Sequence, residues 1–153
     1  MLNQLVLGDN LEFIKFLPCE SIDLIYLDPP FCTGRNFKDF NDQWSNYDCQ
    51  FLEVLQNTHF ILFQYIQIIE ATHSKAMKAY ITYITQRMIE LHRILKSTGS
   101  IYLHCDPTAS HYLKILMDNI FGKKNFRSEI IWSYDWGGRP QNLWAKKHDI
   151  IIM

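Results

Sequence analysis

Neither a Gly-x-Gly-x-x-Gly nor a Gly-x-x-x-x-Gly-Lys-Ser/Thr run occurs in these 153 residues, so nothing points to a dinucleotide or a nucleoside triphosphate. Cysteine is sparse. Cys19, Cys32, Cys49 and Cys105 stand far apart without a Cys-x-x-Cys pair, which leaves a zinc site unsupported. Reduced thiols in a cytoplasmic protein are the simplest expectation, and no metal is expected. Long apolar runs are also lacking. The most apolar stretch, His59 to Ala71, is broken by Gln64, Gln67 and Glu70. It is too short to span a bilayer and reads as a buried helix, so no membrane contact is expected. No basic segment followed by a small-residue cleavage site opens the chain, which makes secretion unexpected.

The composition present is that of a globular domain rather than a disordered chain: 48% hydrophobic and 20% charged. Net charge is −1, which by itself does not suggest a partner for DNA. Its distribution is uneven. Residues 1–86 carry five basic and ten acidic side chains, and residues 87–153 carry ten basic and six acidic ones. The later basic residues cluster at Lys123, Lys124 and Arg127, then at Arg139, Lys146 and Lys147. Such patches contact phosphates or form solvated loops, and composition does not choose between the two.

Leu5–Leu7 reads as a short strand turning at Gly8-Asp9, with Asn10 capping a helix over Leu11–Leu17 closed by Pro18. Ser21–Leu27 is an almost continuous apolar run, as in a strand of a parallel sheet covered on both faces. It meets Asp28-Pro29-Pro30-Phe31, and two prolines cannot continue a central strand. The Asp28 carboxylate is therefore expected at the C-terminal lip of the strand, where open α/β sheets bind ligands. Residues 32–50 read as a long functional or mobile loop. Helices are expected over about 48–70 and 75–96. The second has Met77, Ile81, Ile84, Met88, Leu91 and Leu95 in a stripe and ends at Gly99. Ser100–Cys105 reads as a second buried strand, and Asp106-Pro107 as the cap and first position of a helix ending near Gly122. Arg127–Tyr134 and Asp149–Met153 read as strands around a Trp136–Pro140 loop. The alternation predicts an α/β fold with a mainly parallel sheet. The apolar strand running to Met153 with no turn or polar tail gives the expectation of a truncated chain.

Four features meet at the Asp-Pro-Pro-Phe segment. Asp28 is an acceptor at a strand tip. The Pro29-Pro30 pair has fixed φ and no N–H to satisfy, so its carbonyls are free to face a site. Phe31 offers a flat face for stacking, and a polar segment able to close over a ligand comes next. An exocyclic amine is a poor nucleophile because its lone pair is delocalised into its ring. Acceptors around the NH₂ group favour a tetrahedral, more reactive nitrogen, and reaching such a base in a duplex requires extruding it. A turn remains the plain alternative for the tripeptide alone.

Asp28-Pro29-Pro30-Phe31 resembles the [DNS]PP[YFW] motif of DNA amino-methyltransferases. LVLGDNLEFIKFLPCESIDLIYLDPPFCTGRNF resembles the start of their permuted beta group, and RMIELHRILKSTGSIYLHCDPTASHYLKILMDNIFG their middle segment. FRSEIIWSYDWGGRP and KKHDIIIM are similar to the segment that succeeds it in those enzymes. The resemblance implies a Rossmann-like methyltransferase sheet and S-adenosylmethionine as methyl donor to adenine N6 of double-stranded DNA, as in restriction-modification, with cytosine N4 the alternative. It implies roles for Asp28, Pro29 and Phe31 at the amine and base, with Pro30 shaping the motif. Asp28, Asp9 and Asn10 are implied near the cofactor, and Arg139, Lys146 and Lys147 are candidate DNA contacts. For His104, Asp106 and His111, a capping Asp106 and polar neighbours are the favoured reading, with a role beside the target base left open. The family's Phe-x-Gly-x-Gly loop is absent from the 153 residues. The resemblance therefore implies the catalytic portion of a methyltransferase domain, broken off at the start of target recognition. Its central cofactor-binding strands would be missing. A separate half or a second copy of the chain would be its partner, or the chain would be an inactive remnant.

Overall fold

The structure is a computed structural model that describes all residues except 1, 2, 33–35, 38, 39, 42, 43, 45, 136, 137 and 139. A short helix α1 (Asn10–Ile14) leads to strand β1 (Ile22–Leu27) and a small ladder of β2 (Asn36–Phe37) with β3 (Phe40–Asn41). Helices α2 (Cys49–Thr58), α3 (Phe60–Thr72) and α4 (Lys75–Ile94) come next. Then come β4 (Leu95–Cys105), α5 (Ser110–Met117), a π turn and a 3-10 turn to Asn125, β5 (Glu129–Ser133) and β6 (His148–Ile152). The main sheet is open, four-stranded and mixed, in the order β1-β4-β6-β5.

Only β1 and β4 pair in parallel; β6 runs antiparallel to β4 and to β5. The expected mainly parallel sheet is therefore parallel in only one of its three strand pairings. The reason lies in the connections: three helices carry the chain from β1 back to start β4 in the same direction. No helix lies between β5 and β6 among the described residues, so the second strand returns beside the first as a hairpin.

On β4, Ile101, Leu103 and Cys105 are buried in one core with Ile25, Ile150 and Ile152 of the neighbouring strands. Helix α4 carries the helical half of that core. Met77, Ile81, Ile84, Met88 and Leu91 form its buried stripe as the periodicity predicts, and Ala109, Leu113 and Leu116 add α5. The alternate residues of β1, Leu24 and Tyr26, are 60% and 51% exposed. That face of the edge strand is open.

Several local expectations shift. Leu5–Leu7 forms no strand, and Leu5 and Leu7 are fully exposed; without a neighbouring strand their backbone has no ladder to join. The helix expected over 48–70 breaks at His59, whose φ of −140° and ψ of 63° lie outside the helical region. Helix α4 stops at Ile94, and β4 begins five residues before Ser100, so Gly99 lies inside a strand.

Gly99 sits where the β1–β4 register slips, Ile22 pairing with Leu95 but Leu24 with Ser100. A Cβ there would stand 3.0 Å from the Asp23 carbonyl oxygen and 2.7 Å from Leu95 Cδ1. Leu95 can turn aside, but the Asp23 backbone cannot without opening the ladder. Gly99→Ala is therefore expected to cost about 1–3 kcal/mol in a denaturant melt, as overpacking does. An unchanged midpoint would show that the bulge absorbs a methyl group.

Candidate active site

The sequence cuts β1 short with two prolines, and this leaves Asp28 at the carboxyl end of the parallel pair, with its side chain 60% exposed. Pro29 is buried, and Pro30 and Phe31 are half-buried. Beside them lies the Gly8-Asp9-Asn10 turn. A cleft of about 420 Å³ is lined by that turn, by Leu27 to Pro30, and by Tyr83 and Arg87 of α4. The structure thus brings the adjacent Asp9 and Asn10 to one concavity with Asp28, which comes later in the sequence. A larger cleft of about 450 Å³ opens elsewhere, around His92, Lys96 and Phe126, and holds none of the motif residues.

Asp9, rather than the expected Asn10, caps α1: its Oδ1 accepts from the Leu11 N–H at 2.9 Å. Its carboxylate also takes two contacts from Arg87 Nη2, at 2.7 and 2.9 Å. Asn10 Oδ1 accepts from Arg87 Nε at 2.9 Å, and the guanidinium lies over the Tyr83 ring, 3.4 Å from its centroid. Partial burial pushes the Asp9 carboxyl up. The Leu11 N–H and Arg87 together outweigh it and hold the group below its ordinary value. At the other end of α1, Arg93 donates to the carbonyl oxygens of Leu17 and Ile14. Two arginines of α4 therefore fix this five-residue helix, too short to be stable by itself, and with it the turn.

On the other side of Asp28 stands His104 of β4, only 8% exposed. Its Nδ1 is 3.1 Å from Asp28 Oδ1 and its Nε2 is 3.5 Å from Asp149 Oδ2. Both approaches fall within ion-pair distance, yet neither is aligned as a hydrogen bond. The ring meets Phe31 edge-on at 5.2 Å between centroids and stacks on Trp132 of β5 at 5.5 Å. Next to it, burial foremost, with Asp106, Glu129 and Asp149 nearby, pushes the Cys105 thiol up to about 12. A thiol so raised stays protonated, which removes it as a nucleophile.

The N-cap position of α5 is Ala109, with no side-chain cap, rather than the expected Asp106; Asp106 Oδ1 instead accepts from the Ala109 N–H at 3.2 Å and closes the turn that leads into the helix. His111 is exposed on α5. Lys146 is exposed, while Lys147 donates to the Asp135 carbonyl oxygen at 2.9 Å. Arg139 and most of the Trp136–Arg139 loop lie outside the described residues, as does part of the 32–50 segment. Among the described residues, no helix is long and apolar enough to cross a membrane.

Tyr83, Arg87, Trp132 and Asp149 are members of the site that sequence reasoning missed. One signal existed for Arg87: a charge set between Ile84, Met88 and Leu91 on an apolar stripe needs a buried partner. Nothing local marks Asp149 or Trp132.

The family model described as DNA methylase matches residues 22–153. The chain belongs to this family. It is 29% identical over 97% of its length to the Type III restriction-modification enzyme EcoP15I Mod subunit of Escherichia coli, covering 23% of that protein. The EcoPI Mod subunit of Escherichia phage P1 is 31% identical over 99% of the chain, with 24% of that protein covered. For the DNA adenine methyltransferase YhdJ of Escherichia coli strain K12 the identity is 27% over 92% of the chain, covering 35% of that protein. This DNA methylase chain therefore spans about a quarter of the length of the two Mod subunits.

Proposed function

We propose that this DNA methylase chain carries the amine-binding side of an adenine-N6 methyltransferase acting on double-stranded DNA, with S-adenosylmethionine as donor, in a restriction-modification setting. One observation carries the reading: the Asp28-Pro29-Pro30 strand tip and the Gly8-Asp9-Asn10 turn line the same cleft. The names of its relatives, two Mod subunits and a DNA adenine methyltransferase, agree with it.

The residues present fit one flank of such a cofactor. Asp28 offers an exposed carboxylate to a cationic group, Asn10 and the turn backbone lie beside it, and Tyr83 and Pro29 supply apolar wall. When bound, S-adenosylmethionine supplies an electrophilic methyl group on a sulfonium sulfur. Asp28 and the Pro29 carbonyl accept the hydrogens of the target amine and hold its lone pair toward the cleft. Phe31 covers the face of the extruded base. As the nitrogen takes up the methyl group it becomes cationic, and Asp28 stands where one of its protons must leave.

The other flank comes from outside these 153 residues, as a segment bearing a Phe-x-Gly-x-Gly loop, on the same polypeptide or a separate one. Support lies in the open edge at β1, where Leu24 and Tyr26 expose apolar surface without a covering strand among the described residues. Lys146 and Arg139 are candidate phosphate contacts on the β5–β6 connection.

Calorimetric titration tests this directly. S-adenosylmethionine added to the 153-residue chain is expected to give no micromolar binding, and binding should appear once the missing segment is supplied. Micromolar binding by the chain alone would mean that the pocket is already complete. Digestion of duplex DNA methylated by the assembled protein should then release N6-methyladenine. N4-methylcytosine in its place would move the substrate to cytosine.

A further inference from the structure

The buried imidazole of His104 touches the Asp-Pro-Pro-Phe motif twice. Its Nδ1 lies 3.1 Å from Asp28, and its ring edge lies against Phe31. A polar side chain this buried without an aligned partner is costly and calls for a reason. Trp132 covers one ring face and Asp149 stands at the far nitrogen, so the imidazole has little freedom to turn. Asp28, by contrast, is mostly exposed, and a small rotation of its carboxylate suffices to align the contact.

We propose that His104 is a positioning residue, donating through Nδ1 to one oxygen of Asp28 and packing Phe31, so that the motif presents a single free carboxylate oxygen to the target amine. A carboxylate only accepts, so the contact requires a proton on Nδ1. One Asp28 oxygen is then occupied by His104, and the free one takes one amine hydrogen. The second amine hydrogen is left to the Pro29 carbonyl. The stacked Trp132 ring limits rotation of the imidazole plane, and Asp149 stands 3.5 Å from the opposite nitrogen. The consequence for chemistry rests on the methyl-transfer reading above, but the contact itself does not.

Nitrogen-15 NMR of the 153-residue chain separates the two. Six histidines are present, and His104 is identified by sequential assignment in the wild type. The expected spectrum shows His104 Nδ1 protonated, with a shift that changes in Asp28→Asn and less in Asp149→Asn. An unprotonated Nδ1, or one indifferent to Asp28→Asn, overturns the proposal whatever the enzyme does. The assembled methyltransferase supplies a second measurement. The amide nitrogen of His104→Asn falls where Nδ1 stands, and that of His104→Gln falls nearer Nε2. Misplacing Asp28 should lower kcat roughly 100-fold in the Gln variant, with the Asn variant within about tenfold of wild type and KM for DNA unchanged in both. Equal loss in the two amides also overturns it. Absence of methyl transfer by the wild type, with the NMR result as expected, sinks the methyl-transfer reading and leaves the contact standing.

Discussion

Asp28→Ala is expected to lower kcat for methyl transfer by roughly 100- to 10,000-fold in the assembled enzyme, the range for a positioned proton-accepting group. The carboxylate is the charged acceptor at the tip of β1, and its neighbours among the described residues cannot stand in for it: His104 is no carboxylate and approaches Asp28 without an aligned hydrogen bond, and Asp9 is engaged by Arg87 and Leu11. Thermal stability should stay close to wild type, because the side chain is 60% exposed and its loss leaves no cavity. Asp28→Asn keeps one acceptor oxygen and should fall between the two. Rates measured with labelled S-adenosylmethionine, beside a thermal melt of each variant, decide the matter. An alanine variant within a few-fold of wild type would remove Asp28 from the chemistry.

The second large effect is on stability and has an unequal form. Arg87 is 3% exposed while its partner Asp9 is 53% exposed. Removing Asp9 strands a buried guanidinium with Asn10 Oδ1, the Tyr83 carbonyl oxygen and the Tyr83 ring as its remaining company. Removing Arg87 strands only a carboxylate that water already reaches. Asp9→Ala should therefore cost roughly 1–3 kcal/mol, the desolvation penalty of an unsatisfied group, and Arg87→Met distinctly less. Guanidinium chloride titrations of both variants and the double variant give the coupling directly. The opposite order would mean that the packing of the Arg87 stem outweighs its charge.

The same pair has an acid-side signature. The Asp9 carboxyl is held below its ordinary 3.8 when folded, so the contribution is fully present above that pH and fades as pH falls through the lower folded value. Asp9→Asn should lack this acid-side loss, and its stability should vary less than that of the wild type below about pH 4.

Legibility tracks the range of the interactions involved. Asp28 at a strand tip was readable because the apolar run and the two prolines that end it are adjacent. The α4 stripe was readable for the same reason, being set by residues three or four positions apart. The break at His59 and the early start of β4 were not. Both depend on how α3 and β1 pack, and propensity is silent there. Asp9 rather than Asn10 is the cap, and Arg87, 78 residues later, holds both side chains, a contact no local pattern announces.

Residue order alone specifies the motif, the stripe that builds the helical core, and membership in the DNA methylase family, since each is written in neighbouring residues or in their succession. Folding adds that Asp28 stands between a cleft and a buried histidine, that Arg87 locks the Asp9 turn, and that Asp149 and Trp132 flank the same ring. Those contacts join β1, β4, β5, β6 and α4, and a pairing across so many residues leaves no periodicity to read. Burial decides it, because a charged or polar side chain taken from water must find its partner wherever the fold has brought one.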